Sequence, residues 1–217
     1  MNLVLGLCQR GFEAACQKHV LMISREFQRY LYSRRCYQYV TMHTSTGLSD
    51  GTLFEPKYNS IYVYVLCHTS QRNGEEYMHI NGKDDFLVDD KFVEWLKRFR
   101  CNHMTLVLET CHSEGINDLE SPTMPDDWTV INTSSKNQKS LFDEVYNIGA
   151  FTSALCKFIS IVRVPLFTYS PNSVVTEINR MRIGENVTCH GDTTKWIYLP
   201  VEAVTEHRTR RLRLCSN

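Results

Sequence analysis

The 217-residue chain sets 24 lysines and arginines against 24 aspartates and glutamates, and a net charge of zero argues against a general nucleic-acid or other polyanion binder. Its 42% hydrophobic and 22% charged residues are those of an ordinary globular protein with a real core. Nine cysteines, an odd number with no CxxC pair, fit neither a disulfide framework nor the usual spacing of a structural zinc site.

Cysteines inside apolar runs, such as Cys16 and Cys156, are expected as reduced, buried thiols, which makes a reducing, cytoplasmic compartment the default. Residues 1–8 are too short for a signal peptide. No run approaches the ~18 apolar residues of a membrane span, so no membrane association is expected.

In chain order, Leu3–Leu7 reads as a short buried strand. Phe12, Ala15, Cys16, His19, Val20, Ile23, Phe27 and Leu31 then repeat at three- and four-residue spacing, the mark of an amphipathic helix. Residues 36–43 alternate and are rich in β-formers, so a second strand is expected there. A loop over 44–60 leads to the apolar strand Ile61–Leu66, which delivers Cys67 and His68. Asn73-Gly74 and Asn81-Gly82 mark a small hairpin. Asp89-Asp90 opens a helix with Phe92, Trp95, Leu96 and Phe99 as its buried stripe and basic residues at its end. The central strand follows over 104–110 and runs straight into Cys111.

A further strand is expected over 128–132 and a loop over 134–146. Helices should start at Gly149 and run through 172–183, and 196–201 is read as an edge strand because Pro200 would break a central one. Alternation of this kind predicts an α/β fold, a mostly parallel central sheet with helices on both faces. The domain is expected to span 1–205, followed by a basic tail over 206–217.

Reactive groups of open α/β sheets collect at the carboxyl ends of the strands, where Cys111 and His68 both fall. A thiolate attacks a peptide carbonyl, and a neighbouring imidazole takes the proton and returns it to the leaving amine. Backbone N–H groups at Thr69 and Cys111 are suited to receive the oxyanion.

The words around these residues carry a family likeness. Val107-Leu108-Glu109-Thr110-Cys111-His112-Ser113 resembles the nucleophile motif of the caspase, metacaspase and legumain cysteine peptidases. Tyr64-Val65-Leu66-Cys67-His68 resembles their hydrophobic block ending in the catalytic histidine, and the segments 130–135, 149–155 and 174–180 resemble their later elements. Thr69 stands where the family has glycine, and Ser113-Glu114-Gly115 replaces its Ser-Gly.

The resemblance implies a caspase-like α/β/α sandwich and a cysteine endopeptidase with Cys111 as nucleophile and His68 as base. It implies no cofactor and no metal. Its partners would be a protein or peptide substrate and, as in caspases, a second copy in a homodimer. It also implies a specificity pocket that includes Glu109, Arg10 and Ser134. Arg10 with Glu109 suits Asn or Asp before the cut bond, whereas Glu109 alone suits Arg or Lys. The segment 114–127, acidic and proline-bearing, is a candidate processing loop. The alternative reading is an inactive scaffold or decoy of the same fold that binds a partner protein.

Overall fold

The computed structural model describes residues 1–31, 37–42, 54–73, 75–79, 86–117, 124–125, 127–143 and 147–198. The Asn81-Gly82 turn, the tail 206–217 and residues 118–123 of the candidate processing loop lie outside them.

Six strands make the central sheet: β1 (Asn2–Cys8), β2 (Tyr37–Met42), β3 (Ser60–Cys67), β4 (Met104–Thr110), β5 (Thr129–Asn132) and β6 (Thr188–Gly191). Their order is β2-β1-β3-β4-β5-β6, all parallel except β6, which runs antiparallel to β5. Among the described residues four helices cover it: α1 (Glu13–Leu31), α2 (Asp89–Lys97), α3 (Ala150–Ile161) and α4 (Pro171–Arg180). The apolar runs of β3 and β4 are buried at every position because helices lie on both faces of the sheet.

The period of two sorts each strand between two cores. Tyr62, Tyr64 and Leu66 cluster with α1, α3 and α4, whereas Ile61, Val63, Val65 and Cys67 cluster with α2. In α1 the expected stripe is buried from Ala15 to Phe27, with Phe12 and Leu31 half-buried at its ends. α4 begins as its sequence dictates, with Pro171 in the first turn and the Ser170 hydroxyl accepting from the Ser173 N–H at 3.2 Å.

The chain winds one way from β1 to β2 and the other way from β3 to β4. The carboxyl ends of β1 and β3 therefore flank the switch point, the place where sheets of this order take ligands. A hairpin of Thr69–Arg72 and Glu75–His79 rises from the end of β3. Asn73 takes a left-handed φ of 56° at its turn, as Asn-Gly turns require.

Three expectations need correcting. Of the expected edge strand 196–201, residues 196–198 form no strand and 199–201 lie outside the described residues, and the strand paired with β5 at its edge is Thr188–Gly191. Trp196 is instead buried in a coil: its indole N–H donates to the Tyr169 carbonyl at 3.0 Å, and its own carbonyl accepts from the Thr105 hydroxyl at 2.6 Å. The expected loop 134–146 contributes Phe142–Asp143, which pairs with Ile148–Gly149 in a short antiparallel ribbon. Cys16 is buried as expected, but Cys156 is exposed, because α3 turns that face outward. All seven described cysteines are free thiols. Among the described residues no helix is long and apolar enough to cross a membrane.

Candidate active site

β3 and β4 are neighbours, paired in register from Ile61–Met104 to Cys67–Thr110. One residue further along, His68 and Cys111 leave the sheet at the same level. His68 is exposed and Cys111 half-buried. The His68 N–H donates to the Gln9 side-chain oxygen at 2.9 Å, and the Phe12 ring packs edge-on against the imidazole with centroids 5.2 Å apart. Gln9 is itself held by its N–H on the Leu66 carbonyl, 2.9 Å away. Partial burial, with the nearby His79 adding to it, lowers the His68 pKa, which favours the neutral imidazole that a base requires. No hydrogen bond joins imidazole and thiol in this structure. Such pairs are commonly loose before substrate arrives.

Thr69, the departure from glycine, turns its hydroxyl onto the Cys111 carbonyl, which also accepts from the Thr110 hydroxyl at 3.1 Å. Its N–H is left free of the hairpin. The His79 N–H donates to the His68 carbonyl at 2.8 Å, which frames Thr69 and Met78 as a pair that does not bond to itself. The Thr69 N–H therefore points away from its hairpin partner. The Cys111 N–H likewise has no acceptor among the described residues.

The loop after Cys111 is fixed from behind. His112 adopts a left-handed φ of 55°; its N–H donates to the Gln138 carbonyl at 2.9 Å and its Nδ1 to the Lys136 carbonyl at 2.7 Å. Ser113 and Ser134 exchange backbone-to-hydroxyl bonds of 3.1 and 2.9 Å, and the Ser134 hydroxyl donates to the Thr110 carbonyl at 2.8 Å. The second departure has a steric reason. The Glu76 carboxylate occupies the space that a Cβ on residue 115 would need, so any other residue there requires the Glu76 side chain to move.

The expected pocket residues are not brought together. Glu109 is 1% exposed and faces the α3 side of the sheet. Its carboxylate accepts from the Tyr64 hydroxyl at 2.7 Å, the Thr152 N–H at 3.1 Å and the Thr152 hydroxyl. It thereby caps the N-terminus of α3, whose own N-cap is Gly149 and supplies no side chain. Gly149 is needed because the carboxylate occupies the place of a Cβ. Arg10 is exposed and makes no ion pair with Glu109. Ser134 is fully buried behind the loop that follows Cys111, where it acts as a strut.

Around Glu109 lies a buried polar cluster that the sequence reading missed. His19 bonds Thr152 Oγ1 through Nδ1 at 2.8 Å and the Tyr62 hydroxyl through Nε2 at 3.0 Å, and stacks on Tyr64 with centroids 3.7 Å apart. A signal was present. His19 falls on the buried stripe of α1, Tyr62 and Tyr64 lie two apart on β3, and polar groups at core positions must find partners.

Burial pushes the His19 pKa from 6.5 down to about 3. The unfolded chain accepts a proton below about pH 6.5 that the folded state refuses until about pH 3, so His19 costs stability as pH falls through that window. Chemical denaturation of wild type and His19→Gln at about pH 7.5 and about pH 4.5 should show a smaller acid loss for the variant. Equal losses would mean that His19 does not titrate this way. Burial also raises the pKa of Glu109, against the donors from Thr152 and Tyr64.

The chain matches no known protein-family model, and no curated protein is significantly similar to it.

Proposed function

We propose that this protein is a cysteine endopeptidase of caspase-like type that works through Cys111 and His68. The observation that supports the reading is the register of β3 and β4, in which positions 68 and 111 follow at the same level past the carboxyl ends of two neighbouring strands. The motifs around both residues and the six-stranded, mostly parallel sheet support it.

The Cys111 sulfur attacks the peptide carbonyl carbon while His68 accepts the thiol proton. The carbonyl oxygen becomes an oxyanion between the N–H groups of Thr69 and Cys111, neither of which has an acceptor among the described residues. Collapse passes the proton from His68 to the leaving amine. Water, deprotonated by His68, then hydrolyses the thioester and frees the sulfur. Thr69 in place of glycine is compatible with this chemistry because its side chain bonds the Cys111 carbonyl and its N–H faces away from the hairpin. Every step uses side chains and backbone of this chain.

The preference for Asp or Asn before the cut bond rests on Arg10 alone, without Glu109. With Glu109 inward in this structure, Arg10 is the solvent-facing member of the expected pair. Digestion of a random peptide library, with the cut bonds located by mass spectrometry, tests the activity. Internal bonds cut in a thiol-dependent manner support it. A library left intact at micromolar protein overturns it.

A further inference from the structure

We infer that the cavity beside the Phe142–Asp143 ribbon is a substrate subsite for a large aliphatic side chain, carried by an extended peptide that hydrogen-bonds to Phe142. The inference rests on the peptidase reading above and names its substrate class. The cavity measures about 340 Å³ and is lined by Leu141, Phe142, Ala154, Met181 and Ile183, with Lys157 adding a positive charge. That volume is at the low end for ligand cavities and suits a side chain rather than a whole small molecule. Leu141 is 48% exposed, a large apolar side chain left in solvent.

Phe142 joins this cavity to the candidate catalytic centre. Its ring packs on Phe12 at 5.2 Å between centroids, and Phe12 packs on His68 at 5.2 Å. Two such steps span at most about 10 Å, the reach of roughly three extended residues at ~3.3 Å each. The cavity also lies at the N-terminus of α3 and the end of α4, on the α1 side of the sheet where His68 meets Phe12.

The backbone beside the cavity selects an extended peptide as the occupant. The Ala150 N–H donates to the Leu141 carbonyl at 3.0 Å, and Phe142 stands opposite Gly149. In an antiparallel ladder that bond frames a pair which does not bond to itself, so the N–H and C=O of Phe142 both point away from Gly149. Neither has a partner among the described residues. A peptide laid along this edge satisfies both groups and sets alternate side chains into the adjoining wall, the strand-addition mode of recognition. The lining favours Leu, Ile or Met, and Lys157 disfavours a basic side chain.

The library digest provides the test, comparing wild type, Met181→Asp and, as a control on the opposite face of the sheet, Glu94→Gln. Wild type and control should prefer Leu, Ile or Met over Asp or Lys by about tenfold or more at one position two to four residues from the cut bond. Met181→Asp should erase that preference and lower kcat/KM for the aliphatic peptide about tenfold, mostly through KM. If Met181→Asp melts early, Leu141→Ser, altered at an exposed side chain, should give the same loss of preference.

Cleavage without an aliphatic preference, or a preference that survives both variants, overturns the subsite while leaving the peptidase reading intact. No cleavage at all overturns both. A wild type that elutes as a dimer and becomes monomeric in Leu141→Ser assigns the patch to self-association and also overturns the inference.

Discussion

Replacing Cys111 by alanine is expected to remove peptide cleavage, a fall of at least about 10⁴-fold in kcat. Without sulfur there is no nucleophile, and neither His68 nor the two N–H groups can form the thioester. The same change should barely touch folding. Cys111 is half-buried, lies outside both hydrophobic clusters and lends the loop only its backbone, since the bonds to its carbonyl come from Thr69 and Thr110. A loss under about 1 kcal/mol is expected, which for a chain of this size is a drop of about 2–4 °C in Tm. Cleavage that persists in a clean Cys111→Ala preparation means that the chemistry lies elsewhere. A collapse of Tm means that Cys111 is a structural residue.

Glu109→Ala is expected to do the reverse and strike the fold. The carboxylate is 1% exposed and receives the Tyr64 hydroxyl at 2.7 Å, the Thr152 N–H at 3.1 Å and the Thr152 hydroxyl. Alanine removes the acceptor of three buried donors, of which the two hydroxyls can turn only to each other or to His19, opens a void under Gly149 and uncaps α3. Each unsatisfied buried group costs roughly 1–3 kcal/mol, so a total of about 3–5 kcal/mol is expected after partial relaxation. At about 2–4 °C per kcal/mol, Tm should fall by about 10 °C or more. Glu109→Gln keeps the shape and one acceptor oxygen, and should lose less than half as much. Thermal denaturation followed by circular dichroism decides it. An alanine variant that melts within about 2 °C of wild type contradicts the capping role.

The contrast between these two residues shows what the sequence made legible. Period and composition located β1, β3, β4, α1, α2 and α3 to within a residue or two, because each of those signals is local. The apolar run of β4 marked a doubly covered strand without any knowledge of its neighbours. The likeness to caspase-type motifs then singled out His68 and Cys111, and their common level follows from the register.

What escaped depended on contacts between distant positions. Glu109 meets Thr152, 43 residues away, and only the packing of α3 against β4 decides that its carboxylate caps a helix instead of lining a pocket. His19 meets Thr152 across 133 residues. The edge position beside β5 is held by Thr188–Gly191, and Trp196 is buried in coil with its indole N–H on the Tyr169 carbonyl. Phe142 looked like loop because a two-residue ribbon has no periodicity to read.

The most direct test of the pairing of thiol and imidazole is covalent capture by a peptide electrophile, mapped by mass spectrometry to individual cysteines in wild type and in His68→Ala. Capture should fall on Cys111 ahead of the exposed Cys156, and slow by about 10²-fold or more once His68 is gone. Capture that favours Cys156, or that proceeds at Cys111 equally fast without the imidazole, would contradict a catalytic pair.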